Sequence, residues 1–286
     1  MNKKTCIIIC GPTAVGKTAY GIELAKKYNT QIISADSRQC FKELNIGVAK
    51  PSKEQLQKVQ HYFIDTHSIH EEMNVKVFEE YALKAADEIF KNNDFAIMVG
   101  GTGMYIKAFS EGLDDIPEVD ETIAKKINHE YSAHGIQWLY NQIKLNDPLF
   151  FSKGEMQNPQ RMIRALQVKL STGKSILYFH SNKKIKRHFE IKTILLELPR
   201  EQLYKNIDFR VDEMMEAGLL KEAENLFPFR HLNALQTVGY KELFYYFEGK
   251  YSLEKAVEEI KKNTRHYAKR QITWFKRSNV ETESRL

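Results

Sequence analysis

Long hydrophobic runs are missing from this chain. No segment approaches the ~18 consecutive apolar residues of a membrane span. The apolar stretch Cys6–Cys10 meets Gly-Pro before it reaches the roughly 7 residues of a secretory core. A membrane anchor and an export leader are therefore not expected, and the cytoplasm is the expected compartment. Cysteine is scarce too: the three residues are odd in number and none stands in a Cys-x-x-Cys pair, which excludes a disulfide framework and a thiolate zinc site. Cys6 and Cys10 lie an even number of positions apart in a strand-like run, so they share a face and read as small buried apolar residues. The nine histidines are scattered, and His67 and His70, though spaced as on a helix, lack a companion pattern of Asp, Glu or Cys. Internal repeats and low-complexity tracts are absent, and 42% hydrophobic with 28% charged residues excludes a disordered chain. A length of 286 residues allows one main domain with an appendage.

What the chain does carry begins almost at once. Gly11-Pro-Thr-Ala-Val-Gly16-Lys17-Thr18 follows the strand-like segment Thr5 to Cys10 and precedes a helical pattern from Lys17 to Tyr28. This is the strand, glycine loop and helix order of a phosphate-binding P-loop. The glycines let the backbone curl so that N–H groups converge, and the helix presents its positive end to the anion. Gly11, Pro12, Thr13, Ala14, Val15, Gly16, Lys17 and Thr18 thus form the expected diphosphate or nucleotide site, with Lys17 on the terminal phosphates and Thr18 on Mg²⁺. A further absence bears on its chemistry. Phe95 to Val99 runs straight into Gly100-Gly101-Thr102-Gly103 with no carboxylate at the usual Walker-B place, which weakens a simple ATPase reading. The available acid is Asp36, at the tip of the strand-like run Gln31 to Ala35. The residues alone leave open whether it is an outer Mg²⁺ ligand or a general base facing a second substrate.

Strand-like runs at Thr5 to Cys10, Gln31 to Ala35, His61 to Asp65, Phe95 to Val99 and Ile191 to Leu198 alternate with helical patterns. That alternation predicts an α/β fold with a parallel sheet, in which ligands bind at the carboxyl ends of the strands. Phe78, Ala82, Ala85 and Ile89 recur at helical spacing and predict a helix over Val75 to Lys91 packed on that sheet. From 116 to 187 the alternation gives way to helical, more polar patterns, read as an inserted all-helical subdomain between core segments 1–115 and 188–286. Within it, Ile123 and Ile127 mark one helix and Ile136, Leu139 and Ile143 a second after His134-Gly135. A third is capped by Asn158-Pro159 and closed by Gly173, with Arg161 and Arg164 one turn apart. The run Lys183 to Arg187 reads as an exposed basic return to the core.

Another helix is expected from Glu201 to Ala217, with Arg210 near its middle, and a long last helix from about Ser252. Val257, Ile260, Thr264, Tyr267 and Trp274 read as a core seam on that last helix, with Arg265 and Lys269 on a neighbouring face. Net charge is +6, and Lys261 to Arg277 holds seven Lys and Arg with no acid, so an acidic polymer is the expected partner.

Eight segments in order, GPTAVGKT, SADSRQ, IGVAKP, GGTGMYIKA, NPQRMIRALQV, FRVDEMMEAGL, TVGYKE and TRHYAKRQITWF, resemble the motif series of the tRNA dimethylallyltransferases across essentially the whole chain. The resemblance implies transfer of a dimethylallyl group from dimethylallyl diphosphate to N6 of the adenosine 3′-adjacent to the anticodon. It implies a P-loop core that holds the leaving diphosphate, through N–H groups around Thr13 to Gly16, Lys17 and Mg²⁺ on Thr18, and an inserted domain that grips the anticodon stem-loop. By motif position Asp36 is the base, Thr102 lies near the transfer point, and Arg210 reaches the diphosphate from the side opposite the loop. Asp36, Ser37, Arg38, Gln39 and Thr102 would meet the target base. Gln160, Arg161, Met162, Ile163 and Arg164 would meet RNA from the insert, and Arg265 and Lys269 from the last helix. Phe41, Asn45 and Val48 depart from the family's usual Tyr, Asp and Thr, and the chain resembles the bacterial form, expected to be a monomer. The alternatives are a P-loop kinase of a nucleotide or small alcohol, a non-catalytic RNA-binding module, and a prenyltransferase of free adenine nucleotides.

Overall fold

The computed structural model describes residues 3–181, 183–277 and the backbone of 281–284. In chain order its elements begin with β1 (Thr5–Cys10), α1 (Lys17–Lys27), β2 (Ile32–Ala35), α2 (Lys53–Lys58), β3 (His61–Tyr62), α3 (Val75–Asn92), β4 (Phe95–Gly100) and α4 (Gly103–Glu111). The helices α5 (Glu121–Asn146), α6 (Pro148–Lys153) and α7 (Pro159–Thr172) follow. The chain then returns through β5 (Glu190–Glu197), α8 (Arg200–Glu216), α9 (Leu219–Leu226), α10 (Tyr240–Phe247), α11 (Leu253–Lys276) and β6 (Glu281–Ser284). Among the described residues no helix is long and apolar enough to cross a membrane. Two compact units are present, one of residues 1–111 with 186–286 and one of residues 112–185.

In the first unit the strands form one sheet in the order β3-β2-β4-β1-β5-β6, with every pairing parallel. Both faces are covered, as a parallel sheet requires. Along β1 the side chains alternate: Cys6, Ile8 and Cys10 enter the core on the side of α3, whereas Ile7 and Ile9 enter the core on the side of α1. The predicted stripe Phe78, Ala82, Ala85 and Ile89 is buried on the first of these faces. The third strand is shorter than expected. Phe63 and Asp65 take φ values of 64° and 54°, left-handed geometry that ends extension after Tyr62.

Three neighbouring strands deliver their carboxyl ends side by side, with Ala35 opposite Gly100 and Gly100 opposite Cys10. A Cβ on Gly100 would lie 2.2 Å from the Ala35 carbonyl oxygen, so only glycine permits this approach. The segment after β2 is held from two directions. Gln39 Nε2 donates to the Val48 and Ala49 carbonyls at 3.3 and 3.1 Å, and Glu222 on α9 accepts from Ile46 N, Gly47 N and Tyr240 Oη at 2.9, 3.0 and 2.6 Å. Burial, with the Glu222 carboxylate next, pushes the Tyr240 phenol pKa up. Arg187 corrects one expectation: it is not an exposed member of a basic return but a half-buried anchor. Its guanidinium pairs with Glu79 and donates to the Ala108 and Phe109 carbonyls at 2.7 and 2.8 Å.

The second unit is helical. In α5 the chain bends at Gly135, whose φ of 70° interrupts the helix where the His134-Gly135 break was expected. Asn158 caps α7 by accepting from Gln160 N and Arg161 N, and Gly173 closes it at φ 74°. Ile127, Leu139, Ile143, Phe150, Met162, Ile163 and Leu166 form its core. The short helix α6, opened by Asp147-Pro148, was not anticipated.

Replacing Glu222 with alanine leaves two backbone N–H groups and a phenol without their acceptor, and an unmet buried polar group costs about 1–3 kcal/mol. The Glu222→Ala protein is expected to lose about 2–4 kcal/mol of unfolding free energy, read from urea denaturation, while Glu222→Gln loses less.

Candidate active site

The P-loop leaves β1 and wraps back on itself through three left-handed residues, Gly11, Ala14 and Gly16, at φ 144°, 64° and 95°. A Cβ at Gly11 would meet the Leu196 carbonyl oxygen at 2.6 Å, so the close approach to β5 requires glycine there. Ala14 and Val15 bury their side chains in the α1-side core, which fixes the loop from below. Gly16 caps α1 in the left-handed conformation with no side-chain cap and no acid in the first turn, leaving the positive helix end open to an anion.

Lys17 Nζ donates to the Gly11 and Pro12 carbonyls at 3.0 and 2.6 Å. The residue as a whole is half-buried, but its ammonium is tucked beneath the loop. Burial, and next the Arg210 charge, lowers its pKa to about 8, against partial compensation from Asp36. Arg210 reaches in from α8, where its Nη1 donates to Thr13 Oγ1 at 3.3 Å, and one turn earlier Asn206 Nδ2 donates to the Ala14 carbonyl at 3.2 Å. Burial lowers the Arg210 pKa as well. Glu213 partly offsets Arg210 from α8, but two desolvated cations face one cavity lined by a single carboxylate, which favours an anion there.

That carboxylate is Asp36. Its Oδ1 accepts from Arg38 N and Gln39 N at 2.9 and 3.3 Å, and no described donor lies within hydrogen-bond distance of Oδ2. Thr102 belongs to the same constellation: its N–H donates to the Ala35 carbonyl, and its Oγ1 accepts from Ser37 N at 3.1 Å.

Two cavities open here. The smaller, about 320 Å³, is lined by Lys17, Thr18, Gly100 and Gly101. The larger, about 610 Å³, runs past Val211, Met214, Leu219, Tyr245 and Ile260. Both are walled by Thr13, Asp36, Val48, Ala49, Arg210 and Tyr267, so the acid stands where the cavity beside Lys17 meets the roomier one of mixed lining.

The remaining expected residues divide. Ser37 and Arg38 line the larger cavity. Gln39 does not offer a free side chain: its Oε1 accepts from Ser34 Oγ and its Nε2 holds the Val48–Ala49 segment, so it shapes the wall. Phe41 is buried in the core beneath the turn, Asn45 Oδ1 accepts from Lys50 Nζ, and Val48 takes part through its carbonyl. On α7, Gln160, Arg161 and Arg164 are exposed, and Arg161 pairs with Glu155 at 3.4 Å. Met162 and Ile163, expected to meet RNA, are instead 0% and 5% exposed, because their positions fall on the inward face of α7 with Ala165 and Leu166.

The charge of α11 is less free than its sequence suggested. Lys261 pairs with Asp212, Lys262 with Glu259, Arg265 with Asp208 and Lys276 with Glu197. Lys269 is exposed, and no described acid lies within ion-pair distance of it. The seam on α11 also differs from expectation. Ala256, Ile260, Ala268, Gln271 and Phe275 are its buried residues, whereas Thr264 and Tyr267 face the large cavity. The Tyr267 phenol is pushed up to about 12, chiefly by burial and next by the Asp36 charge.

Gln271 is a site residue that sequence reasoning missed. Its Oε1 accepts from Thr13 N at 2.9 Å and its Nε2 donates to the Gly101 carbonyl at 3.0 Å. The Thr13 N–H is therefore engaged by α11 and not aimed at a phosphate. A signal existed: in the heptad Ile260, Thr264, Tyr267, Gln271, Trp274, an amide stands where the next apolar residue would fall. Asn206, which braces the loop, left no comparable signal. Among the described residues no group of three His, Cys, Asp or Glu could hold a metal.

The IPP transferase family model matches residues 39–278. Proteins called tRNA dimethylallyltransferase in Christiangramia forsetii and Flavobacterium johnsoniae are 48% and 47% identical over 95% and 96% of this chain and 90% and 91% of their own. Among solved structures, a tRNA isopentenylpyrophosphate transferase from Bacillus halodurans is 35% identical with a TM-score of 0.71 over 99% of this chain and 90% of its own. A eukaryotic dimethylallyltransferase acting on tRNA reaches a TM-score of 0.82 at 27% identity over 98% of this chain and 74% of its own. The chain belongs to the IPP transferase family.

Proposed function

We propose that this protein is a tRNA dimethylallyltransferase that uses the P-loop cavity to expel diphosphate and Asp36 to deprotonate the attacking adenine amine. The observation that carries the reading is the pairing of Lys17 and Arg210 against Asp36 at the junction of the two cavities. The diphosphate group of dimethylallyl diphosphate, seated on Lys17, would neutralise both cations, with the allylic carbon toward the wall shared with Asp36. The adenine amine is a weak nucleophile because its lone pair is delocalised into the ring. In the transfer step N6 forms a bond to the allylic carbon as the carbon–oxygen bond to diphosphate breaks. The electron pair leaves with diphosphate, and the N6 proton passes to the Asp36 carboxylate.

The target base must leave its stack to reach this depth, and the larger cavity has room for it. Thr102, fixed by Ser37 N, and the turn Asp36 to Arg38 line its approach. Mg²⁺ suits the donors present. The Thr18 hydroxyl and one carboxylate border the phosphate side, and a cation that keeps its waters and draws its other ligands from phosphate needs no protein cage. Bound there, it would neutralise charge on the departing diphosphate. A kinase reading lacks support at β4. A Cβ on Gly100 or Gly101 would strike Ala35 or Gln271, leaving no place for a Walker-B carboxylate. In this proposal Gln160, Arg161, Arg164 and Lys269 meet RNA phosphates, the protein acts as a monomer, and a tRNA substrate places it in the cytoplasm.

Purified protein incubated with dimethylallyl diphosphate and unmodified tRNA is expected to add one dimethylallyl group to the anticodon-loop fragment, seen by mass spectrometry. Phosphorylation from ATP without prenylation, or competition by AMP, would point to the rival activities. Asp36→Asn is expected to lower kcat by about 10²- to 10⁴-fold while tRNA affinity survives, since a base acts in the transition state.

Lys17 gives a pH signature. Above about pH 8 the free site has lost the Lys17 proton. An anion must then recruit that proton on binding, so diphosphate affinity should fall by about tenfold per pH unit. Lys17→Arg, always charged, should weaken binding at neutral pH and show no such fall in calorimetry. Because Arg265 is already paired and Lys269 is not, Lys269→Glu is expected to flatten the salt dependence of tRNA affinity more than Arg265→Glu.

A further inference from the structure

The geometry points to Gln271 as a positioning residue that fixes the spacing between the leaving-group cradle and the acceptor turn. Its amide bonds one side of the reaction at Thr13 N and the other at the Gly101 carbonyl, immediately before Thr102. The residue is 6% exposed, and its partners lie just past the last β1–β4 pair, Cys10 opposite Gly100, so the ladder brings the strand ends together and Gln271 ties the loops beyond it. A Cβ on Gly101 would come within 2.1 Å of Gln271 Nε2, and one on Gly103 within 2.2 Å of Trp274 Nε1. Both glycines of the Gly101-Thr102-Gly103 turn are thus cut away to admit side chains from one face of α11. Tyr267, one turn before Gln271 on that face, lines both cavities. Beyond the reach of the sheet, the turn carrying Thr102 and the loop carrying Lys17 are thus tied to each other through a single helix.

The two ends of the amide are chemically distinct, which makes the clamp separable. The Oε1 end serves the cradle, and the Nε2 end serves the Thr102 turn. Met at this position keeps the volume and loses both bonds. Glu keeps an acceptor for Thr13 N and sets a carboxylate against the Gly101 carbonyl. On protonation it regains the lost donor, and burial raises a carboxyl pKa toward neutrality.

The inference rests on the transferase reading, and its test keeps the two apart. Gln271→Met is expected to lower kcat by about 10- to 100-fold, as misplacement of reacting groups does. KM for dimethylallyl diphosphate should rise by only about threefold, with tRNA affinity unchanged. For Gln271→Glu, the ratio of its kcat to that of wild type is expected to rise as pH falls from about 8 to about 6, while the Gln271→Met ratio stays flat. Affinity for inorganic diphosphate, measured by calorimetry, should drop by about threefold in Gln271→Met. Wild-type kcat in Gln271→Met, or a pH-independent ratio for Gln271→Glu, overturns the clamp. Should the Met variant fail to show a cooperative unfolding transition, the Glu ratio decides alone. Wild-type protein that binds diphosphate but transfers nothing overturns the transferase reading instead, and unchanged diphosphate affinity in Gln271→Met then overturns the clamp independently.

Discussion

An ammonium folded beneath its own loop is the constraint from which the rest of the site follows. Lys17 gives up hydration to donate to the Gly11 and Pro12 carbonyls, and Arg210 lies near enough to disfavour its charge further. The protein offsets these charges only in part, through Asp36 for Lys17 and Glu213 for Arg210. Asp36 offsets part of the repulsion and stands at the shared cavity wall, where the proposed reaction has it receive a proton. On the proposed reaction a diphosphate would compensate these cations, and would do so again as the departing group gains charge. Catalysis and binding would then draw on the same electrostatic deficit, which favours the transition state because the deficit matches the charge that develops there.

The sheet supplies the geometry that makes this possible. Three adjacent parallel strands end in register, so the P-loop, Asp36 and Thr102 emerge as neighbours although they are far apart in sequence. Gly100 permits the contact between the β2 and β4 ends, and the absence of a side chain there also removes any place for the acid that a phosphoryl-transfer enzyme would keep. That glycine brings the Thr102 turn close to the glycine loop after β1.

Much of this was legible in sequence because it is written in local rules. The strand–loop–helix around Lys17, the stripe Phe78 to Ile89, the caps at Asn158 and Gly173 and the break at Gly135 depend on residues within a few positions of one another. What escaped depends on partners distant in the chain. Arg187 reads as one more surface cation until Glu79 and the end of α4 close around it. Met162 and Ile163 belong to a motif that contains exposed arginines, yet helical periodicity turns these two inward. Gln39 looks like a base-reading amide, but the Val48 and Ala49 carbonyls consume its donors. In each case composition fixes the chemistry available and the tertiary neighbour decides whether it is spent internally.

The last helix shows the same division on a larger scale. Seven cations without an acid in seventeen residues suggested a bare RNA-binding stripe, but four of them find carboxylates on α8, β5 or the helix itself. Exposed pairs of this kind contribute little stability, roughly 0–1 kcal/mol each, so their purpose is poorly explained as reinforcement. The three that reach α8 and β5 tie that face of α11 to neighbouring elements. The opposite face carries Gln271 and Trp274 against the turn around Thr102. The basic residues left unpaired can still meet phosphate. On the proposed reading, a helix that meets RNA on one side and positions the site on the other would join substrate docking to the reacting groups through one rigid body.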